Sequence, residues 1–177
     1  MVLAGIACSA VLAALCFAEG DLDVDATVKD NLIAVFYHEF GHAVINLWDL
    51  PVFGREEDAA DALSITMIDR FHDEDVAEEI IRSVAGSYAV AAEVMDADLP
   101  YWDVHGSNER RFQNTVCLFY GFNPEARQAF ADELGLPGER AEGCPVEAEL
   151  VQKSWGAILD ELLANGAGTR FTLKVVD

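Results

Sequence analysis

From Thr27 to Trp48 apolar residues recur every three or four positions: Leu32, Val35, Phe36, Phe40, Val44 and Leu47. That period predicts an amphipathic helix with these six on its apolar face. Leu50-Pro51 ends it, because proline lacks an N–H and disfavours helix in the residue before it. After the loop Pro51-Val52-Phe53-Gly54, a second helix is predicted from Arg55 to Phe71. Its first turn is acidic, as the positive end of a helix dipole prefers. A third runs from Glu74 to Met95 with Val76, Ile80, Val84 and Tyr88 on its apolar side, and Asp98-Leu99-Pro100 breaks it.

Tyr101 to Ser107 reads as a loop. A helix from Asn108 to Tyr120 is expected to stop at Gly121, and Pro124 opens a short one to Leu134. A loop marked by Gly135, Pro137, Gly138 and Gly143 precedes a helix with Pro145 in its first turn, reaching Leu163. Asn165-Gly166-Ala167-Gly168 stops that helix. Phe171, Leu173 and Val175 then alternate, which suits a strand over Arg170 to Val176. The expected fold is mainly α: a single-domain helical bundle with a short C-terminal strand.

Residues 3–18 form an uncharged apolar run, too short to span a bilayer comfortably. It closes on Cys16-Phe17-Ala18, a small-x-small pattern suited to signal cleavage, although no Lys or Arg precedes it. Residues 1–18 are therefore expected to be a signal peptide and 19–177 the domain, exported to the periplasm or secreted. Of the four cysteines, Cys117 and Cys144 would then remain and allow only one pairing. Closing that loop contributes roughly 3.5 kcal/mol in the chain-entropy model.

The chain has 177 residues, 32 Asp+Glu against 11 Lys+Arg, and a net charge of −21. A surface this acidic repels phosphate backbones and anionic lipid, so neither nucleic acid nor stable membrane insertion after signal removal is expected.

His38-Glu39-Phe40-Gly41-His42 is an HExxH motif inside the first predicted helix. Residues four apart share a helix face, so two imidazoles can hold one ion while Glu39 reaches a water beside it. Zinc needs a third protein ligand and a free position. Downstream, Glu57 and Asp61 are four apart on one helix face. One carboxylate can bind the metal while the other accepts the N–H of a ligating imidazole. Glu56 and Asp58 are alternative ligands. His105 follows Asp103 in a loop, where its imidazole can either stabilise an oxyanion or order the turn. Arg111 can serve the oxyanion or pair with a buried carboxylate. Tyr88, Tyr120, Trp48, Trp102 and Trp155 read as packing residues, and His72 as a surface helix end.

HEFGH, then LPVFGREEDAAD, DVHGSNERRF and CLFYG, resembles the metallopeptidase family that carries a domain of unknown function with an HExxH helix. HExxH followed by ExxxD is more distantly similar to the gluzincins, the thermolysin-like metallopeptidases. The resemblance spans about Asn31 to Trp155. It implies His38, His42 and Glu57 as metal ligands, Glu39 as general base, and Asp61 as the acceptor that orients an imidazole. His105 and Arg111 fall where the family has its downstream histidine and arginine. The lead-in before the motif helix is too short for the upstream sheet that lines the cleft in larger thermolysin-like enzymes.

The leading expectation is an exported metallopeptidase with one Zn²⁺ per chain, acting on a peptide or protein substrate. Glu39 would be the general base and His105 an electrostatic aid to catalysis. The rivals are a non-catalytic zinc-containing binding module, and an acidic helical interaction protein in which HExxH is accidental.

Overall fold

Helix α1 spans Val24–Trp48, 25 residues or about 37 Å at the helical rise. It ends where Asp49 takes φ 52° and the Leu50 N–H reaches the Ile45 carbonyl at 3.0 Å, closing the last turn. The computed structural model describes residues 24–100 and 102–165. The expected signal peptide and the expected C-terminal strand lie outside them. Among the described residues every regular element is helical: α2 Glu56–Phe71, α3 Glu74–Met95, a 3₁₀ turn Asp96–Asp98, α4 Asn108–Phe122, α5 Pro124–Glu133, α6 Gly138–Ala141, α7 Cys144–Val151, a π turn Gln152–Gly156, and α8 Ala157–Asn165.

α1 lies against α2 and α3, while α4 sits centrally against α2, α3, α5 and α7. The larger core gathers Ile80, Ile81, Val84, Val116, Phe119 and Phe130. A second core joins Val44 and Ile45 of α1 to Leu63 and Met67 of α2, with Trp155 and Leu159 closing it. The Trp155 indole N–H donates to the Ala59 carbonyl at 2.8 Å, which ties the π turn to the start of α2.

Two glycines set close approaches. A Cβ on Gly41, inside the HExxH motif, would stand 3.1 Å from Ala60 Cα, so this pair lets α1 and α2 draw together beside the histidines. A Cβ on Gly121 would stand 2.3 Å from the Cys144 carbonyl oxygen. There α4 passes the start of α7, and Cys117 and Cys144 form a disulfide.

Several expectations are corrected. Leu32, Val35, Phe36 and Leu47 do not form a buried face: all four are more than half exposed. Of the expected face Val44 is buried and Phe40 half-buried; the other buried positions of α1 are Asp30, Ala34, Gly41 and Ile45, because the face carrying the histidines and Gly41 is the one turned to α2. Gly121 does not stop its helix, which runs through Phe122; the glycine answers to the Cys144 contact. The helix expected from Pro145 begins at Cys144 and is broken by the π turn before reaching Asn165. Trp102 is 84% exposed and packs no core. His72 caps α2 and its Nε2 lies 3.0 Å from the Tyr37 hydroxyl, so it is more than a surface end.

Candidate metal centre

The centre forms where α1 crosses the first two turns of α2. His38 and His42 stand one turn apart, with Nε2 atoms 3.1 Å from each other. Glu57, in the acidic first turn of α2, brings Oε2 to 3.2 Å from His38 Nε2 and 3.4 Å from His42 Nε2. The three donor atoms lie within 4.8 Å of one another.

Each imidazole is held from behind. His38 Nδ1 donates to Asp61 Oδ1 at 2.8 Å, and His42 Nδ1 donates to Glu56 Oε1 at 2.7 Å. A carboxylate on Nδ1 fixes the tautomer that leaves the Nε2 lone pair free, as metal-ligating histidines require. The Glu56 hydrogen bond, opposed by burial and aided by the charges of Glu57 and Glu39, raises the proton affinity of His42.

Asp61 is anchored in turn by Arg111 of α4, which donates Nε to Oδ2 at 2.8 Å and Nη2 to Oδ1 at 2.7 Å. Burial works to raise the Asp61 pKa, but hydrogen bonds from His38 and Arg111 outweigh it and hold the carboxyl below its ordinary value. The Arg111 guanidinium also lies 4.3 Å above the Tyr88 ring. Burial, with the Asp61 charge, pushes the Tyr88 hydroxyl up to about 12.

The chain matches the family described as "Putative metallopeptidase" (DUF4344) over residues 14–159. The chain belongs to this family. No curated protein and no solved structure matches it.

The donor set of this metallopeptidase-family chain suits a divalent ion. Glu57 Oε2 is buried and makes no hydrogen bond, although three ring nitrogens approach it. Ligands about 2.0–2.1 Å from a tetrahedral zinc stand about 3.4 Å apart, which the 3.1, 3.2 and 3.4 Å separations resemble. Two imidazoles and a carboxylate are the mixed nitrogen and oxygen set that zinc accepts.

The other candidate residues fall around this centre. Glu39 is exposed on α1 beside it, near enough to His42 for its charge to be felt. Asp58 does not face the centre; it accepts from Arg110 Nη2 at 3.1 Å. His105, in the loop before α4, places Nε2 3.0 Å from Glu57 Oε2. Its Nδ1 lies 3.4 Å from Asp103 Oδ1, and its carbonyl accepts from Arg55 Nη1 at 3.0 Å. Sequence reasoning gave neither Glu56 as the partner of His42 nor Arg55 as the anchor of this loop. The acidic run Glu56-Glu57-Asp58 was the signal for the first; nothing local pointed to the second.

Proposed function

We propose that this chain is a zinc-dependent metallopeptidase that hydrolyses peptide bonds with metal-activated water and a glutamate base. The observation that carries the reading is the meeting of both HExxH Nε2 atoms at a buried Glu57 oxygen that has no hydrogen bond. His38, His42 and Glu57 would hold the ion, one per chain. Zinc in such a site polarises a carbonyl and lowers the pKa of water towards ~7.

The chain's own groups supply the rest. Asp61 and Glu56 keep the Nδ1 protons in place, so both Nε2 lone pairs stay directed at the ion. Arg111 locks the Asp61 carboxylate through both of its oxygens, sharing Oδ1 with His38. Glu39, exposed next to His38, takes the proton of the attacking water on its carboxylate and passes it to the leaving amine nitrogen. A peptide or protein is the substrate that this chemistry fits. The Cys117–Cys144 disulfide supports an oxidising compartment, periplasmic or extracellular.

The non-catalytic zinc module remains as second reading, favoured by the crowding of Glu57 by His105. Glu39→Gln separates the two. As a peptidase, the variant keeps one zinc per chain and loses peptide hydrolysis by several orders of magnitude. A wild type replete with zinc that cleaves no peptide in a mixed library would support the binding module instead.

A further inference from the structure

We propose that Arg55 binds a carboxylate of the substrate, so that peptides with a carboxylate close to the scissile bond are the preferred class. This assignment deepens the metallopeptidase reading given above and rests on it.

The chain holds 32 Asp+Glu against 11 Lys+Arg, so a cation on its surface seldom lacks a carboxylate beside it. Among the described residues every Lys and Arg other than Arg55 forms an ion pair. Arg55 forms none there, although Glu56, Glu57 and Asp58 follow it directly. Those three carboxylates are turned to other partners. Glu56 accepts from His42 at 2.7 Å, and Glu57 meets the two HExxH imidazoles. Asp58 accepts from Arg110 Nη2 at 3.1 Å. No described side chain therefore compensates the charge of Arg55, in the middle of an acidic run.

That charge stands at the rim of the metal centre. Arg55 is the residue before α2, two positions ahead of Glu57, a backbone separation of at most about 7 Å. Among the described residues its side chain makes one hydrogen bond, from Nη1 to the His105 carbonyl at 3.0 Å. His105 Nε2 lies in turn 3.0 Å from Glu57 Oε2. At Gly106, the next residue, a Cβ would stand 3.6 Å from Arg55 Nη1. A guanidinium has five N–H donors in a planar fork, and the rest of them belong here to an exposed side chain. A carboxylate accepts two such donors side by side. An extended peptide advances about 3.3–3.6 Å per residue. With its scissile carbonyl at the centre, a carboxylate one to three residues away comes within reach of this fork. A free C-terminus and an Asp or Glu side chain both supply that group.

The test compares three forms of one peptide, taken from one cleaved in a mixed library. The parent carries no carboxylate and ends in an amide two residues after the cleaved bond. One derivative has a free C-terminus; the other stays amidated and has Glu for a neutral residue within three positions of that bond. Salt of about 0.15 M screens the long-range repulsion from the rest of the chain. The zinc-loaded full chain is expected to favour one derivative over the parent about ten- to a hundredfold in kcat/KM, mainly through KM. Which derivative it favours identifies the source of the carboxylate. In Arg55→Gln the ratio of derivative to parent should fall to near one. Arg55→Lys keeps the charge without the fork and should fall between. If Arg55 only orders the His105 loop, its variants slow all three peptides together and keep the ratio, which would overturn the proposal. A wild type that cleaves the three forms alike would overturn it too, with the peptidase reading left standing. A zinc-replete wild type that cleaves no peptide overturns the peptidase reading and this proposal together. Should Arg55→Gln fold poorly, the ratio in Arg55→Lys decides.

Discussion

At the scale of single residues, the two imidazoles of the centre are oriented by side chains that stand behind them. Asp61 accepts from His38 and from two nitrogens of Arg111. Removing such an outer partner typically costs ten- to a hundredfold in metal affinity. Asp61→Asn and Arg111→Met are each expected to fall in that range, read by competition with a chelator. On the proposed reading Glu57→Ala removes a ligand, and the purified chain should then carry little zinc. Zinc retained by Glu57→Ala would instead move the third ligand to another carboxylate, with Glu56 nearest to hand. A second ion-paired residue, Arg127, is 2% exposed, grips Glu74 through Nε at 2.7 Å and Nη2 at 2.8 Å, and lies 2.6 Å from Asp69. The hydrogen bond from Arg127 is the main reason that Glu74 titrates below its ordinary value. A carboxyl lowered on folding stabilises above its unfolded pKa of about 4.3, and that contribution is lost as pH falls through the folded value. Glu74→Gln should therefore show a shallower loss of stability than wild type between about pH 5 and 3 in urea titrations. Burial works in the opposite sense on Asp69 and raises it, so the paired carboxylates do not report identically.

At the scale of helices, the packing explains what a sequence can and cannot reveal. The extent of α3 was legible because its apolar period and its proline-marked end are local signals. That a carboxylate of the second helix meets His38 and His42 was legible for a related reason: HExxH and ExxxD each fix a helix face, and one short loop joins the two helices. The choice of Glu57 over Asp61 came from the family resemblance, not from the spacing. The buried face of α1 was not. Leu32, 63% exposed, and Phe36, 65% exposed, looked like core because hydrophobicity alone marks candidates. What decided the face was Gly41 against Ala60, a close approach that hydrophobic periodicity does not register. The π turn and the Trp155 hydrogen bond were illegible too, since their cause lies about a hundred residues away in α2. Two variants provide the check. Leu32→Ser with Phe36→Ser should change stability by no more than about 0.5 kcal/mol per site, as exposed positions do. Gly121→Ala should cost several times that, because a methyl there meets the Cys144 backbone and the disulfide limits how far α4 and α7 can part. Chemical denaturation of both, side by side, gives the comparison.

At the scale of the molecule, two features act on the whole chain: one covalent link and a large excess of negative charge. The disulfide joins residues 27 apart and restricts the unfolded chain, a contribution of roughly 3.5 kcal/mol. It fastens α4, which carries Arg111, to α7. The charge of −21 works against the compact state, because folding brings like charges together. Ion pairs such as Arg82 with Glu133 and Arg140 with Glu147 offset little of it, since half-exposed pairs contribute about 0–1 kcal/mol each. The opposing long-range term is the one that salt screens, with a Debye length near 30 Å at 0.01 M and about 8 Å at 0.15 M. The unfolding midpoint should therefore rise as sodium chloride increases from about 0.01 to 0.15 M, in the oxidised chain and in a Cys117→Ala/Cys144→Ala variant alike. Sodium chloride is the proper titrant, because a divalent salt would add binding at the carboxylates to screening. A midpoint that falls instead would mean that the local ion pairs outweigh the net repulsion. A rise confined to the oxidised chain would mean that the repulsion is concentrated between the segments that the disulfide holds together.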